Sequence, residues 1–113
     1  MHELSICGSI ADIVNRHASE RRVETIHLQV GQLRQIVPDT LVYCWGLVSA
    51  DTALDGSVLD VERIPARLSC RACGVVAELG EFPIFICASC NSQEVAVLTG
   101  EEFLITSLDL AEV

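Results

Sequence analysis

Six cysteines stand in a chain of 113 residues, and four of them form two close pairs, Cys70-Arg71-Ala72-Cys73 and Cys87-Ala88-Ser89-Cys90. Two cysteines with two residues between them share one tight turn, which brings both thiolates to a single ion at about 2.3 Å. Gly74 and Asn91 follow the pairs; both residue types tolerate the left-handed backbone that closes such a turn. Two knuckles of this kind make a sulfur tetrahedron, the closed geometry of structural zinc, with iron in a rubredoxin-like site and a disulfide framework as the alternatives. Four thiolates leave no coordination position for water, so the ion is expected to hold structure rather than to catalyse.

A second constellation opens the chain, Met1-His2-Glu3-Leu4-Ser5. Histidine in position 2 is too bulky for the usual methionine trimming, so Met1 is expected to keep a free amine beside the His2 imidazole. That amine, the imidazole and the deprotonated backbone amides of His2 and Glu3 can surround an ion in a plane of nitrogens, which Cu(II) and Ni(II) favour and zinc does not. An unperturbed α-amine titrates at about 7.7–8.0 and an imidazole at about 6.5, so protons compete with the metal near neutral pH and the site can load and unload. The plainer alternative is a solvated histidine at a frayed end. Glu3 likewise has two readings, a carboxylate that complements a helix dipole or an acceptor that orients the His2 ring.

The elements that must position these groups follow from hydropathy spacing. Leu4, Cys7, Ile10, Ile13, Val14 and Ala18 recur three or four apart, one face of an amphipathic helix over Leu4 to Glu20. Val23 to Val30 alternates, with Ile26, Leu28 and Val30 on one side, a half-buried strand bounded by Gly31. Pro38 suits the first turn of a second helix reaching about Asp51, with Leu41, Cys44, Trp45 and Val48 as its buried stripe. Asp55-Gly56 marks a turn, Ser57 to Ile64 a second strand, and Pro65 its end. Phe103 to Leu110 reads as a third strand with Leu104, Leu108 and Leu110 on one face. The expected fold is α+β: two helices on one face of a small three-stranded sheet, with a four-cysteine zinc-ribbon module inserted. Residues 1–65 plus 101–113 would form the first domain and 66–100 the zinc-binding domain. A stretch that short buries too little core to fold alone, so the metal replaces the core.

Composition removes several functions. Sixteen acids against seven bases give a net charge of −9, which repels phosphate backbones and anionic membranes. Within 66–100 the bases are Arg67 and Arg71 against Glu78, Glu81 and Glu94, without the basic footprint of a nucleic-acid binder. Leu41 to Ala50, the longest nearly unbroken apolar stretch, is half of what a bilayer requires. The acids Glu3 and Asp12 stand where a secretory signal avoids them, so the chain is expected to begin at Met1 and to stay in the cytoplasm, where cysteine pairs hold metal rather than disulfides. Cys7 and Cys44 lie on apolar stripes and read as small core hydrophobes. His17 and His27 read as surface residues without acidic partners nearby in sequence. Asp39 and Asp60 read as a helix-start and a strand-edge polar group. No phosphate loop, nucleophile elbow or zinc-protease helix occurs, so no enzyme is expected.

These residues together resemble the HypA/HybF family of hydrogenase nickel-incorporation proteins. The likeness is carried by Met1-His2-Glu3-Leu4-Ser5, Val30-Gly31-Gln32-Leu33, the helix after Val37-Pro38, the two cysteine pairs, and Gly100-Glu101-Glu102-Phe103-Leu104-Ile105. The resemblance implies a metallochaperone that binds Ni(II) at the N-terminus through His2 and holds zinc on Cys70, Cys73, Cys87 and Cys90. It would deliver nickel to the large subunit of a [NiFe] hydrogenase together with the GTPase HypB, and in some organisms such proteins also serve urease. Some relatives carry histidines beside the zinc cysteines; here the neighbours are Ser69, Gly74 and Asn91. Many have proline inside the second pair, where this chain has Ala88-Ser89. The rival reading is a structural zinc-ribbon adaptor whose N-terminus binds no nickel; a rubredoxin-like electron carrier, coloured by its iron, is the other.

Overall fold

The computed structural model describes residues 2–80 and 84–112, apart from the side chain of His2. The elements run α1 (His2–His17), β1 (Val23–Gly31), one 3-10 turn (Gln32–Arg34), α2 (Pro38–Ser49), β2 (Val58–Ile64), β3 (Arg67–Cys70), β4 (Val76–Glu78), β5 (Val95–Thr99) and β6 (Phe103–Leu110). They make two three-stranded sheets, one ordered β2-β1-β6 and one β4-β3-β5. The chain divides into two compact units: 1–29, 36–62 and 104–113 form the first, and 30–35 with 63–103 the second.

The first unit is built from the expected helices and strands. Cys7, Ile10 and Val14 of α1, Leu41, Cys44 and Trp45 of α2, and Ile26, Leu28 and Leu59 of the sheet are buried together. The thiol of Cys7 donates to the Leu41 carbonyl at 3.6 Å, and burial pushes it up to about 11, the behaviour of a core residue rather than a ligand. Trp45 Nε1 donates to Ser57 Oγ at 3.0 Å, and that hydroxyl donates in turn to the Leu54 carbonyl at 2.6 Å, so the buried polar groups are paired. Two details depart from the hydropathy pattern. Leu4 and Ile13 lie outside the buried stripe of α1, and Leu104 is exposed while Leu108 and Leu110 are half-buried, because alternation breaks at the exposed pair Thr106 and Ser107.

The sheet's polar side contains an arrangement that local sequence hides. His27 Nδ1 lies 3.1 Å from Asp60 Oδ2 and its Nε2 lies 2.8 Å from Asp109 Oδ2, so one imidazole joins all three strands. The reading of His27 as an ordinary surface residue is thereby corrected: no acid is near it in sequence, and its partners come from 33 and 82 positions away. A neutral ring donates once, a protonated ring twice. The Asp109 hydrogen bond, then its charge and the contributions of Asp60, raise the His27 pKa above its ordinary 6.5. This bridge therefore stabilises the sheet fully below about 6.5 and its contribution is lost as pH rises through the raised folded value. The expected result is that His27→Gln lowers the melting temperature at pH 5.5 more than at pH 8.5; a deficit independent of pH would count against the bridge.

The second unit centres on β3, which pairs antiparallel with β4 (Arg67↔Glu78, Leu68↔Ala77, Ser69↔Val76) and with β5 (Leu68↔Val97, Ser69↔Ala96, Cys70↔Val95). The segment 30–35 is fastened to it. Gly31 N donates to the Glu102 carbonyl at 2.7 Å and Leu33 N to that of Gly100 at 2.8 Å, while the Gln32 amide accepts from Ala66 N at 2.9 Å and donates to the Gly80 carbonyl at 2.8 Å. Glycine is required where these backbones meet. A Cβ on Gly31 would collide with the carbonyl of Gly100 and stand 2.6 Å from Glu101 N; one on Gly100, at φ +115°, would stand 2.7 Å from Ala66 Cα. Gly31→Ala is expected to destabilise this unit by about 3 kcal/mol or more, since neither backbone can yield cheaply. Denaturant unfolding followed through the second unit checks it.

Candidate metal centre

Both knuckles are built on the same backbone plan. In the first, Cys70 N donates to the Val75 carbonyl and Gly74 N returns to the Cys70 carbonyl, each at 2.9 Å. In the second, Cys87 N donates to Ser92 and Asn91 N returns to Cys87, again at 2.9 Å. The fifth residue of each turn is left-handed, Gly74 at φ +78° and Asn91 at φ +61°, as the residue types lead one to expect. β3 ends on Cys70 and β5 begins opposite it at Val95, so the central strand and the second knuckle converge.

The four sulfurs gather at this point. Cys70 Sγ lies 3.6 Å from Cys90 Sγ, Cys73 Sγ lies 3.6 Å from Cys87 Sγ, and all four are within 4.8 Å of one another. A tetrahedron with metal–sulfur bonds of 2.3 Å has edges of about 3.8 Å, whereas a disulfide requires about 2.05 Å. The donor set therefore fits a metal ion held by four thiolates, and all four cysteines are free. Cys70 and Cys87 are buried; Cys73 and Cys90 are exposed.

The turns also favour the anionic form of their leading cysteines. Cys73 N donates to Cys70 Sγ and Ser89 N to Cys87 Sγ, each at 3.4 Å. The N–H groups of Cys90 and Ser89 bring the Cys87 thiol down to about 6, and those of Cys73 and Ala72 lower that of Cys70. Cys90 moves the other way: the N–H of Ser92 pulls it down, but hydrogen bonds to the Cys70 and Cys87 sulfurs outweigh this and take it up to about 12. Cys73 is likewise raised, its bond to Cys87 outweighing the N–H of Val75. The leading cysteine of each knuckle is thus favoured toward the thiolate over its partner, and a cation bound here would displace the thiol protons. Among the described residues no other group of three or more His, Cys, Asp or Glu side chains gathers in this way.

The predicted N-terminal ligands are described only in part. The Met1 amine and the His2 imidazole lie outside the described residues. The backbone of His2 begins α1, and Glu3 stands in its first turn, where a carboxylate complements the dipole. Its own N–H, and more weakly that of Val37 at the start of α2, hold the Glu3 carboxyl below its usual range. Gln32, which fastens 30–35 to the cysteine unit, has no sequence signal that marks it; its partners Ala66 and Gly80 are 34 and 48 residues away.

Comparison with known proteins places these features in context. The family model described as "HypA: Hydrogenase/urease nickel incorporation, metallochaperone" matches residues 1–110. A hydrogenase maturation factor HypA from a Nostoc species is 40% identical over 113 residues, covering 100% of this chain and 98% of that protein. One from Geobacter metallireducens is 35% identical over 114 residues, covering 97% and 99%. The solution structure of the Ni metallochaperone HypA from Helicobacter pylori superposes with a TM-score of 0.64 at 20% identity over 96% of each chain. A second HypA solution structure gives 0.68 at 21% identity, covering 98% and 97%.

Proposed function

The chain belongs to the HypA family of hydrogenase and urease nickel-incorporation metallochaperones, and from that premise we propose that it carries Ni(II) at its N-terminus for [NiFe] hydrogenase maturation while zinc holds its cysteine unit together. The zinc ligands are Cys70, Cys73, Cys87 and Cys90. The nickel ligands are the Met1 amine, the His2 imidazole and the backbone amides of His2 and Glu3. This divides the chain into a nickel-binding domain, 1–65 with 101–113, and a zinc-binding domain, 66–100. Its partners are the GTPase HypB and the hydrogenase large subunit, and it works in the cytoplasm as a carrier, not an enzyme.

The observation that carries this reading is the closed set of four sulfurs. Bound zinc supplies a cross-link and a filled coordination shell, so an ion that has to be handed on requires a second, open site. The start of α1 suits one. The first four N–H groups of a helix have no helical carbonyl to bond, so amides of His2 and Glu3 can bind metal without breaking the helix ladder. A plane of nitrogens matches Ni(II) and leaves zinc with the sulfurs. No described helix is long and apolar enough to cross a membrane.

Calorimetric nickel titration of the zinc-loaded chain tests the reading. His2→Ala is expected to weaken nickel binding about 100-fold or more, since even partners outside the coordination shell are worth 10–100-fold. Zinc content stays near one ion per chain. Equal nickel affinity in the two proteins would favour the zinc-ribbon adaptor.

A further inference from the structure

α2 buries Leu41, Cys44, Trp45 and Ser49, yet its other side is apolar as well. Tyr43 is 69% exposed and Leu47 58%, with Val42 beside them and Val37 just before the helix. Single exposed apolar residues are ordinary, but a solvated helix face is normally polar, and here Asp39 is the one charged residue in the helix. Gly46 lies between Tyr43 and Leu47, and a Cβ placed on it meets nothing within 4 Å. Among the described residues no packing explains a glycine there, although it weakens the helix. The face adjoins the beginning of α1, where Leu4 is 49% exposed and Glu3 receives the Val37 N–H.

Acids flank α2 along the chain, while Arg21 and Arg22 lie against the loop 53–56 beyond its end. From residue 36 to 62 the chain carries Asp39, Asp51, Asp55, Asp60 and Glu62 and no lysine or arginine. Asp60 and Glu62 are engaged by His27 and Gln29, and Asp55 accepts from Asp51 N and shares a pocket with Arg21 and Arg22, which leaves Asp39 at one end of α2 and Asp51 just beyond the other. A second copy of the chain would bring acid against acid at a net charge of −9 each. The complement is an apolar surface with a basic border.

We propose that Val42, Tyr43 and Leu47, flanked by Val37 and Leu4, dock an amphipathic helix of a partner protein whose apolar stripe is bordered by lysine or arginine. Docking here seats the partner beside the start of α1; the choice of partner and the link to nickel transfer rest on the functional reading above, and failure of both probes to bind the wild-type chain would overturn the proposal. The test is calorimetric binding of the zinc-loaded full chain to two purified probes, HypB and the precursor large subunit. Tyr43→Glu and Leu47→Glu are expected to weaken binding to at least one of them about 10-fold or more. Leu47→Met restores it, Leu98→Glu in the second unit leaves it unchanged, and added salt weakens it in the wild type. Both glutamate variants replace exposed side chains, so their melting temperatures and nickel titrations stay as in the wild type. Unaltered affinity of both probes for both variants would overturn the proposal, as would a wild-type dimer in sedimentation that Leu47→Glu dissociates, since the occupant would then be a second copy. A failed nickel reading would appear instead as indifference of nickel binding to His2→Ala.

Discussion

Cys87→Ala is expected to abolish tight metal binding and to unfold the second unit while the first stays folded. The buried apolar residues described in the second unit are Val30, Ala66, Leu68, Cys70 and Cys87. Two of these are themselves metal ligands in the reading above, and one is an alanine. Such a set cannot offset the chain entropy of 47 residues at about 1–2 kcal/mol each for the backbone alone. Metal binding to small cysteine modules supplies on the order of 10 kcal/mol or more, and the loss of one thiolate removes much of it. The first unit has its own core of Cys7, Ile10, Val14, Ile26, Leu28, Leu41 and Trp45 and needs no ion. Amide exchange should therefore lose protection at Leu68, Ala96 and Val97 in the variant, and equally in chelator-treated wild type, while Ile26, Leu28 and Leu41 keep theirs. Protection retained in β3 and β5 after chelation would mean that hydrogen bonding and packing suffice without the metal.

What was legible in the residues depended on how far apart the interacting groups lie. Ile10, Val14 and Trp45 declare their helices because burial on one face imposes a spacing of three or four, and Ile26 and Leu28 declare β1 because a half-covered strand imposes a spacing of two. The cysteine tetrad was legible for the same reason: each knuckle is local, and Gly74 and Asn91 mark its backbone. The second sheet was not foreseen. β4 has three residues and β3 four, too few for any period to emerge, and their pairing is imposed by the first knuckle, which turns β3 back onto β4. The partners of His27 and Gln32 were hidden because hydrogen bonds across 33 to 82 residues leave no local trace. Leu104 leaves the face of Leu108 and Leu110 because strict alternation breaks at Thr106 and Ser107.

Extending the chain at its N-terminus is the sharper probe of the proposed nickel site, because it removes no side chain. A Gly-Ser-Gly extension leaves His2, Glu3 and all four cysteines in place but moves the amine several bonds away from the imidazole. Adjacent amine, amide and imidazole nitrogens close small chelate rings around one ion, and a displaced amine cannot rejoin that plane without closing a larger, floppier loop. Nickel affinity should fall about 100-fold in the extended protein, as much as for His2→Ala, and a protein with both changes should be little worse than either, since the groups act as one chelate. Proton competition adds a second signature. An α-amine ordinarily holds its proton to about pH 8 and an imidazole to about 6.5, and both must lose it to bind, as must the two backbone amides. Affinity in the native chain should therefore climb steeply between pH 6 and pH 8, on the order of tenfold per proton displaced in each unit, and less steeply once the amine has been moved away. Zinc content near one per chain throughout would confirm that the sulfur site is untouched, and equal nickel affinity for extended and native chains would place the cargo somewhere other than the first residues.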